Sequence, residues 1–131
     1  MFGVFLIAFL IPILLLIVGF VLKNKCSHYP DLSCGYHVGK LASKNEKVWK
    51  DANSYSGTQF IMHGTIVTVF DVMVLIYSIN TIKGPLNEYL WWAISIIIYI
   101  GLTCIIPVAM AIICTQLHLN KIFNKDGSKK R

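Results

Sequence analysis

Apolar residues fall into three long blocks along the chain, separated by polar stretches. Residues 2–22 carry no charged side chain, residues 60–82 carry only Asp71, and residues 89–117 carry none. About 20 apolar residues in helical form cross a hydrocarbon core of roughly 30 Å, so each block has spanning length. Lipid offers the backbone no hydrogen-bond partners, and each block must therefore close its own as a helix. The pattern predicts an all-α membrane protein with three transmembrane helices, at about 2–22, 60–82 and 89–117. Residues 1–131 then form a single membrane domain, with a loop at 23–59 and a basic tail at 118–131. The first block reads as a retained span: no basic residue precedes it, no small-residue cleavage pattern follows it, and it exceeds a usual signal core.

Inside the spans, Pro12 and Pro107 each remove an amide donor, which predicts local bends near Ala8 and Thr103. Gly64, Thr68, Asp71, Leu75 and Ser78 recur at helical spacing, so one stripe of the second span should face protein. Asp71 matters most, because a carboxyl group at mid-membrane costs about 3 kcal/mol unless paired or hydrated. Two readings stand. Asp71 locks the bundle through Thr103, Ser95 or a water, or it contacts a ligand, ion or toxin. Cys104 and Cys114 read as packing residues.

Composition narrows the class. With 56% hydrophobic and 14% charged residues, the chain is not an ordinary soluble globule. The net charge of +6 is unevenly placed: six lysines lie in the loop, five basic residues in the tail, and only Lys83 in the turn between the last two blocks. Basic segments stay on the cytoplasmic side during insertion, so loop and tail are expected inside, with the turn and the N-terminus outside. Tyr77, Tyr89, Trp91 and Trp92 would then form an outer aromatic belt. The charge is accounted for by orientation and anionic lipid, and no nucleic-acid partner is expected.

The loop has order of its own. Ser43-Lys44-Asn45-Glu46 fits a capping box, and Val48, Trp49, Ala52 and Tyr55 fall on one face of the helix that would follow. The expectation is a short amphipathic helix on the cytoplasmic membrane surface, ended or bent at Gly57. Gly35-Tyr36-His37, followed by Ser43, Asn45, Glu46, Trp49, Ala52 and Asn53 and then Tyr55-Ser56-Gly57, resembles the SdpI family of bacterial membrane immunity proteins. Trp49-x-x-Ala52-Asn53 matches that family's pattern directly. His37 stands where the family usually has arginine, and the spacing from Gly35 to Trp49 is about one residue longer. The resemblance implies a cell-membrane protein that protects a bacterium from a membrane-active peptide or protein toxin by stoichiometric binding. Asp71, Tyr77, Trp91 and Trp92 are the candidate contacts. A cytoplasmic regulator and a second copy of the chain remain open as further partners.

Rival chemistry is weaker. Cys26, His28, Cys34 and His37 could surround a zinc ion, but their spacing is not that of a standard finger. The plainer reading is reduced cytoplasmic thiols and solvent-facing histidines; Cys26 and Cys34 could form a disulfide if the loop were extracellular, an orientation the six lysines argue against. No protease, nucleophile-elbow or phosphate-loop motif is present, so neither catalysis nor a cofactor is expected. The alternative function is a small ion or solute transporter, or channel subunit, built on Asp71.

Overall fold

The computed structural model describes residues 2–26, 28–29, 33–81 and 90–130, without the side chains of residues 2–5 and 92. Its helices are α1 (Phe2–Asn24), α2 (Glu46–Thr81) and α3 (Leu90–Ile122), each long and apolar enough to cross a membrane. Among the described residues there is no strand beyond one isolated bridge, Phe123 to Lys129. Both prolines sit inside helices that continue past them. Leu10, Ile13 and Ile17 of α1 and Ile97 and Ile105 of α3 are exposed, as lipid-facing side chains should be.

The central helix, α2, packs closely on α1 and more loosely on α3, while α1 and α3 barely meet. Glycines explain the tight pair. A Cβ on Gly57 would lie 2.6 Å from the Gly19 carbonyl oxygen, and one on Gly64 would lie 3.2 Å from the Leu15 Cβ. Small residues let the backbones approach closely in lipid, where no hydrophobic force drives helices together. The expected protein-facing stripe is present: Gly64, Asp71 and Ser78 are buried, and Thr68 and Leu75 half-buried.

The separate interfacial helix is corrected. Residues 46–59 are the first turns of α2, which runs 36 residues without a break, about 54 Å at ~1.5 Å per residue. Because Gly57 lies level with Gly19 and Lys23 near the end of α1, residues 46–56 project beyond α1. Their apolar face meets protein instead of headgroups. Tyr36, Ala42, Val48, Ala52, Leu119 and Phe123 form one buried core, bordered by Leu41, Ile112 and Ile122. Loop, helix ends and tail thus build a small cap at one end of the bundle.

Two local expectations shift with it. The N-cap of α2 is Asn45, whose Oδ1 accepts from the Val48 amide at 3.0 Å, whereas the Ser43 carbonyl accepts from the Tyr29 hydroxyl at 2.8 Å. Asn45 wins because its amide also donates to the Gly127 carbonyl at 3.1 Å, a tertiary bond that Ser43 does not make. The expected pair of Glu46 with Lys50 is present at 2.7 Å. The basic tail, expected from 118, is helical to Ile122 and then folds back. The Asn124 amide donates to the Ser128 carbonyl, and Gly127 takes the positive φ, +87°, that the turn requires. The Ser128 hydroxyl and amide both donate to Asp126 and hold its carboxyl below the usual range.

Candidate functional site

The residues of the family-like motif converge on the cap. Gly35 adopts φ +137° directly over Trp49. The buried Trp49 indole donates to the Cys26 carbonyl at 3.1 Å, with the Tyr29 ring 6.0 Å away edge-on and the His37 ring at 5.1 Å. Asn53, also buried, accepts from the Tyr36 amide at 2.7 Å and donates to the Trp49 carbonyl at 2.9 Å. The first bond ties the loop to α2, and the second, within the helix, fixes the Asn53 side chain that makes it. Ser43 and Glu46 lie exposed at the rim.

Sequence reasoning missed the partner on α3. The Tyr36 hydroxyl donates to the Ile112 carbonyl at 3.2 Å and accepts from the Gln116 amide at 3.0 Å, and Gln116 also donates to the Val38 carbonyl. Burial pushes the Tyr36 hydroxyl above its ordinary pKa, against the pull of the Gln116 bond, so it remains a donor. The only earlier signal was a polar residue at 116 near the end of an apolar block. A second missed tie lies nearby: His118 Nε2 is 2.9 Å from Asp51 Oδ2, and its ring stacks on Tyr55 at 3.8 Å.

The thiol reading is also corrected. Cys26 and Cys34, expected as reduced thiols or zinc ligands, are joined by a disulfide with their Cα atoms 5.5 Å apart. The closing of the loop around Trp49 brings them together. Among the described residues no group of three or more His, Cys, Asp or Glu side chains could hold a metal.

Within the spans, Asp71 is 2% exposed. Its Oδ1 accepts from the Tyr99 hydroxyl at 2.8 Å, and its Oδ2 is buried with no hydrogen-bond partner. Tyr99 thus stands where Thr103 or Ser95 was expected. Those hydroxyls instead donate within α3, to the carbonyls of Ile100 and Trp91. The helical offset explains the difference, because a tyrosine reaches across a gap that the shorter hydroxyls cannot. Beside this contact, residues of α2 and α3 line an apolar cleft of about 350 Å³. Tyr77 and Trp91 are exposed at the end of these helices away from the cap. The turn at 82–89, with Lys83 and Tyr89, and the Trp92 side chain lie outside the described residues. Cys114 is half-buried, but Cys104 faces outward instead of packing.

Comparison with protein-family models, curated proteins and solved structures matches the chain to none of them.

Proposed function

We propose that the chain is a multi-pass immunity protein of the bacterial cell membrane, which protects its host from a membrane-active peptide or protein toxin by stoichiometric binding. The observation that supports this reading is that the motif residues meet at the cap: Tyr36, Trp49, Ala52 and Asn53 are buried there, Gly35 lies against Trp49, Asn53 joins Tyr36 to α2, and Asn45 caps the helix. No turnover is needed, since occupying the toxin in the bilayer already prevents a depolarising assembly. The test is expression in a sensitive bacterium, followed by challenge with the toxins encoded beside the gene. Wild type should rescue growth, and Trp49→Ala and Asp71→Ala at equal membrane levels should lose much of that protection. Full resistance in both variants would remove these residues from the site.

The lysine distribution favours a cytoplasmic cap and C-terminus, with the N-terminus, Tyr77 and Trp91 outside as the toxin-facing end. The Cys26–Cys34 bond favours the opposite face, because disulfides persist in oxidising compartments. In that case the cap itself would meet the toxin. In a Cys104→Ala/Cys114→Ala background, intact cells treated with a membrane-impermeant reductant and then an impermeant maleimide separate the two. The charge rule predicts labelling of Cys26 only after permeabilisation, and labelling of intact cells would reverse the orientation.

A transporter or channel reading rests on the buried Asp71 and its unpartnered oxygen. Asp71-dependent ion flux into liposomes without toxin rescue would favour it over immunity.

A further inference from the structure

We propose that the Cys26–Cys34 bond is a redox-active disulfide, a latch that a cytoplasmic dithiol opens and oxidation closes, and that it holds the Cys34–Gly35 backbone against Trp49. This stands apart from the immunity reading and rests on the lysine-based orientation. Two observations otherwise conflict. Six lysines in the loop and five basic residues in the tail favour a cytoplasmic cap, yet that cap holds a disulfide. Disulfides in that compartment are usually transient and redox-sensing, because its thiol pool keeps other cysteines reduced. A bond that cycles satisfies both observations, whereas a permanent staple satisfies only one.

The bond also sits where opening it releases a local contact and leaves the fold standing. Cys26 follows the end of α1, its amide bonded to the Val21 carbonyl at 3.3 Å, and its own carbonyl accepts from the Trp49 indole. Cys34 precedes Gly35, whose backbone lies against the indole ring. The disulfide thus links the residue that anchors Trp49 to the residue beside its cover. Both cysteines pack near Leu22 and Phe60, but the cap core around Val48, Ala52, Leu119 and Phe123 contains neither. Hydrogen bonds hold that core without the disulfide: Asn53 to the Tyr36 amide, Gln116 to the Tyr36 hydroxyl and Asn45 to the Gly127 carbonyl. Opening at its edge is therefore a local event rather than global unfolding.

Access directs the chemistry to Cys34, which is half-buried, over Cys26, which is 1% exposed. A thiolate of the dithiol attacks Cys34 Sγ. The S–S bond breaks, its electron pair leaves on Cys26 Sγ, and that thiolate takes a proton. The second thiolate of the reductant attacks its own partner sulfur in the mixed disulfide and expels the Cys34 thiolate, which is protonated in turn. Two electrons and two protons pass to the cap, and the reductant leaves as a disulfide. Oxidation by a small disulfide runs the same steps in reverse.

The experiment uses the full chain in phosphatidylcholine nanodiscs, carrying Cys104→Ala, Cys114→Ala, Trp91→Phe and Trp92→Phe so that only the cap pair and Trp49 report. Reduced glutathione with thioredoxin, then oxidised glutathione, drives the cycle; maleimide mass shift counts thiols, and acrylamide quenching follows Trp49. Two thiols should appear together and disappear on reoxidation, with helicity by circular dichroism unchanged. Quenching should rise by about twofold or more on reduction, as local opening exposes an indole that is 1% accessible when closed. Cys26→Ser/Cys34→Ser should show the reduced value in either buffer. Hydrogen exchange across residues 34–38 of the wild-type chain gives the same readout if the substituted chains fail to fold. In growing cells quenched with acid, both thiols should be free, and a thiol oxidant should close the bond. A bond that resists thioredoxin in the folded protein, that opens without changing Trp49, or that opens only with loss of helicity would overturn the latch. A bond kept closed in growing cells and opened from outside by an impermeant reductant would make it a permanent staple on the outer face. That last result would overturn the latch and the orientation together, while toxin rescue would still decide immunity separately.

Discussion

Replacing Gly57 with leucine should separate α1 from α2 and cost about 3 kcal/mol or more, the upper range for overpacking a close contact. A Cβ at 57 would meet the Gly19 carbonyl oxygen at 2.6 Å and the Lys23 amide nitrogen at 2.7 Å, and both are backbone atoms that cannot rotate away. The contact is reciprocal, since a Cβ on Gly19 would lie 2.8 Å from the Gly57 carbonyl oxygen. Glycine substitutions along the bundle should therefore form a graded series. Gly64→Ala meets the Leu15 and Leu16 side chains at 3.1–3.2 Å, which can yield, and should cost less. Gly101→Ala has nothing within 4 Å of its new methyl and should be neutral or mildly stabilising, because alanine is the better helix former by about 1 kcal/mol. Unfolding in mixed micelles, followed by circular dichroism, ranks the four proteins. A loss for Gly57→Leu no larger than that for Gly101→Ala would remove the close crossing from the account.

The spans were legible in the sequence because lipid imposes one rule on all of them. A block of about 20 apolar residues has no option but a helix, so their number and approximate positions follow from hydropathy alone. The ends were not legible. Residues 46–59 carry enough polar side chains to read as a surface helix, and nothing local says that Val48 and Ala52 will be covered by Leu119 and Phe123, some seventy residues away in sequence. That covering turns a predicted interfacial helix into the end of α2 and brings part of the basic tail into a core. The same limit hid Gln116 and Tyr99. Each is a single residue whose role is set by what stands opposite it, and neither periodicity nor motif spacing reports on that. Asp71 was legible as an anomaly, since a carboxylate in a lipid block demands a partner, but its partner could be chosen only once the offset of α3 against α2 was known. The disulfide was misread because charge counting decided the compartment before geometry was considered. Cys26 and Cys34 meet because Trp49 draws the loop inward through the Cys26 carbonyl.

At the cap, Gly35→Ala should be as disruptive as any change in the chain, and its effect should depend on Trp49. The backbone at 35 has φ +137°, where an L side chain is strained by about 1–3 kcal/mol. The added Cβ would also lie 2.3 Å from Trp49 Cζ2 and 2.5 Å from Cη2. The indole cannot easily retreat, being 1% exposed and held by the Cys26 carbonyl. Trp49→Ala alone should cost about 3–5 kcal/mol through the cavity it leaves. In the double variant the alanine at 35 enters that cavity, which removes the clash and fills part of the void. The two costs should then fall short of additivity by about 1–3 kcal/mol, the coupling expected of residues in contact. What remains is the backbone strain at 35 and the lost indole bond. Thermal unfolding of the four proteins in nanodiscs measures the cycle. Strict additivity would mean that Gly35 and Trp49 do not touch, and the cap as described would have to be rebuilt around a different neighbour for the indole.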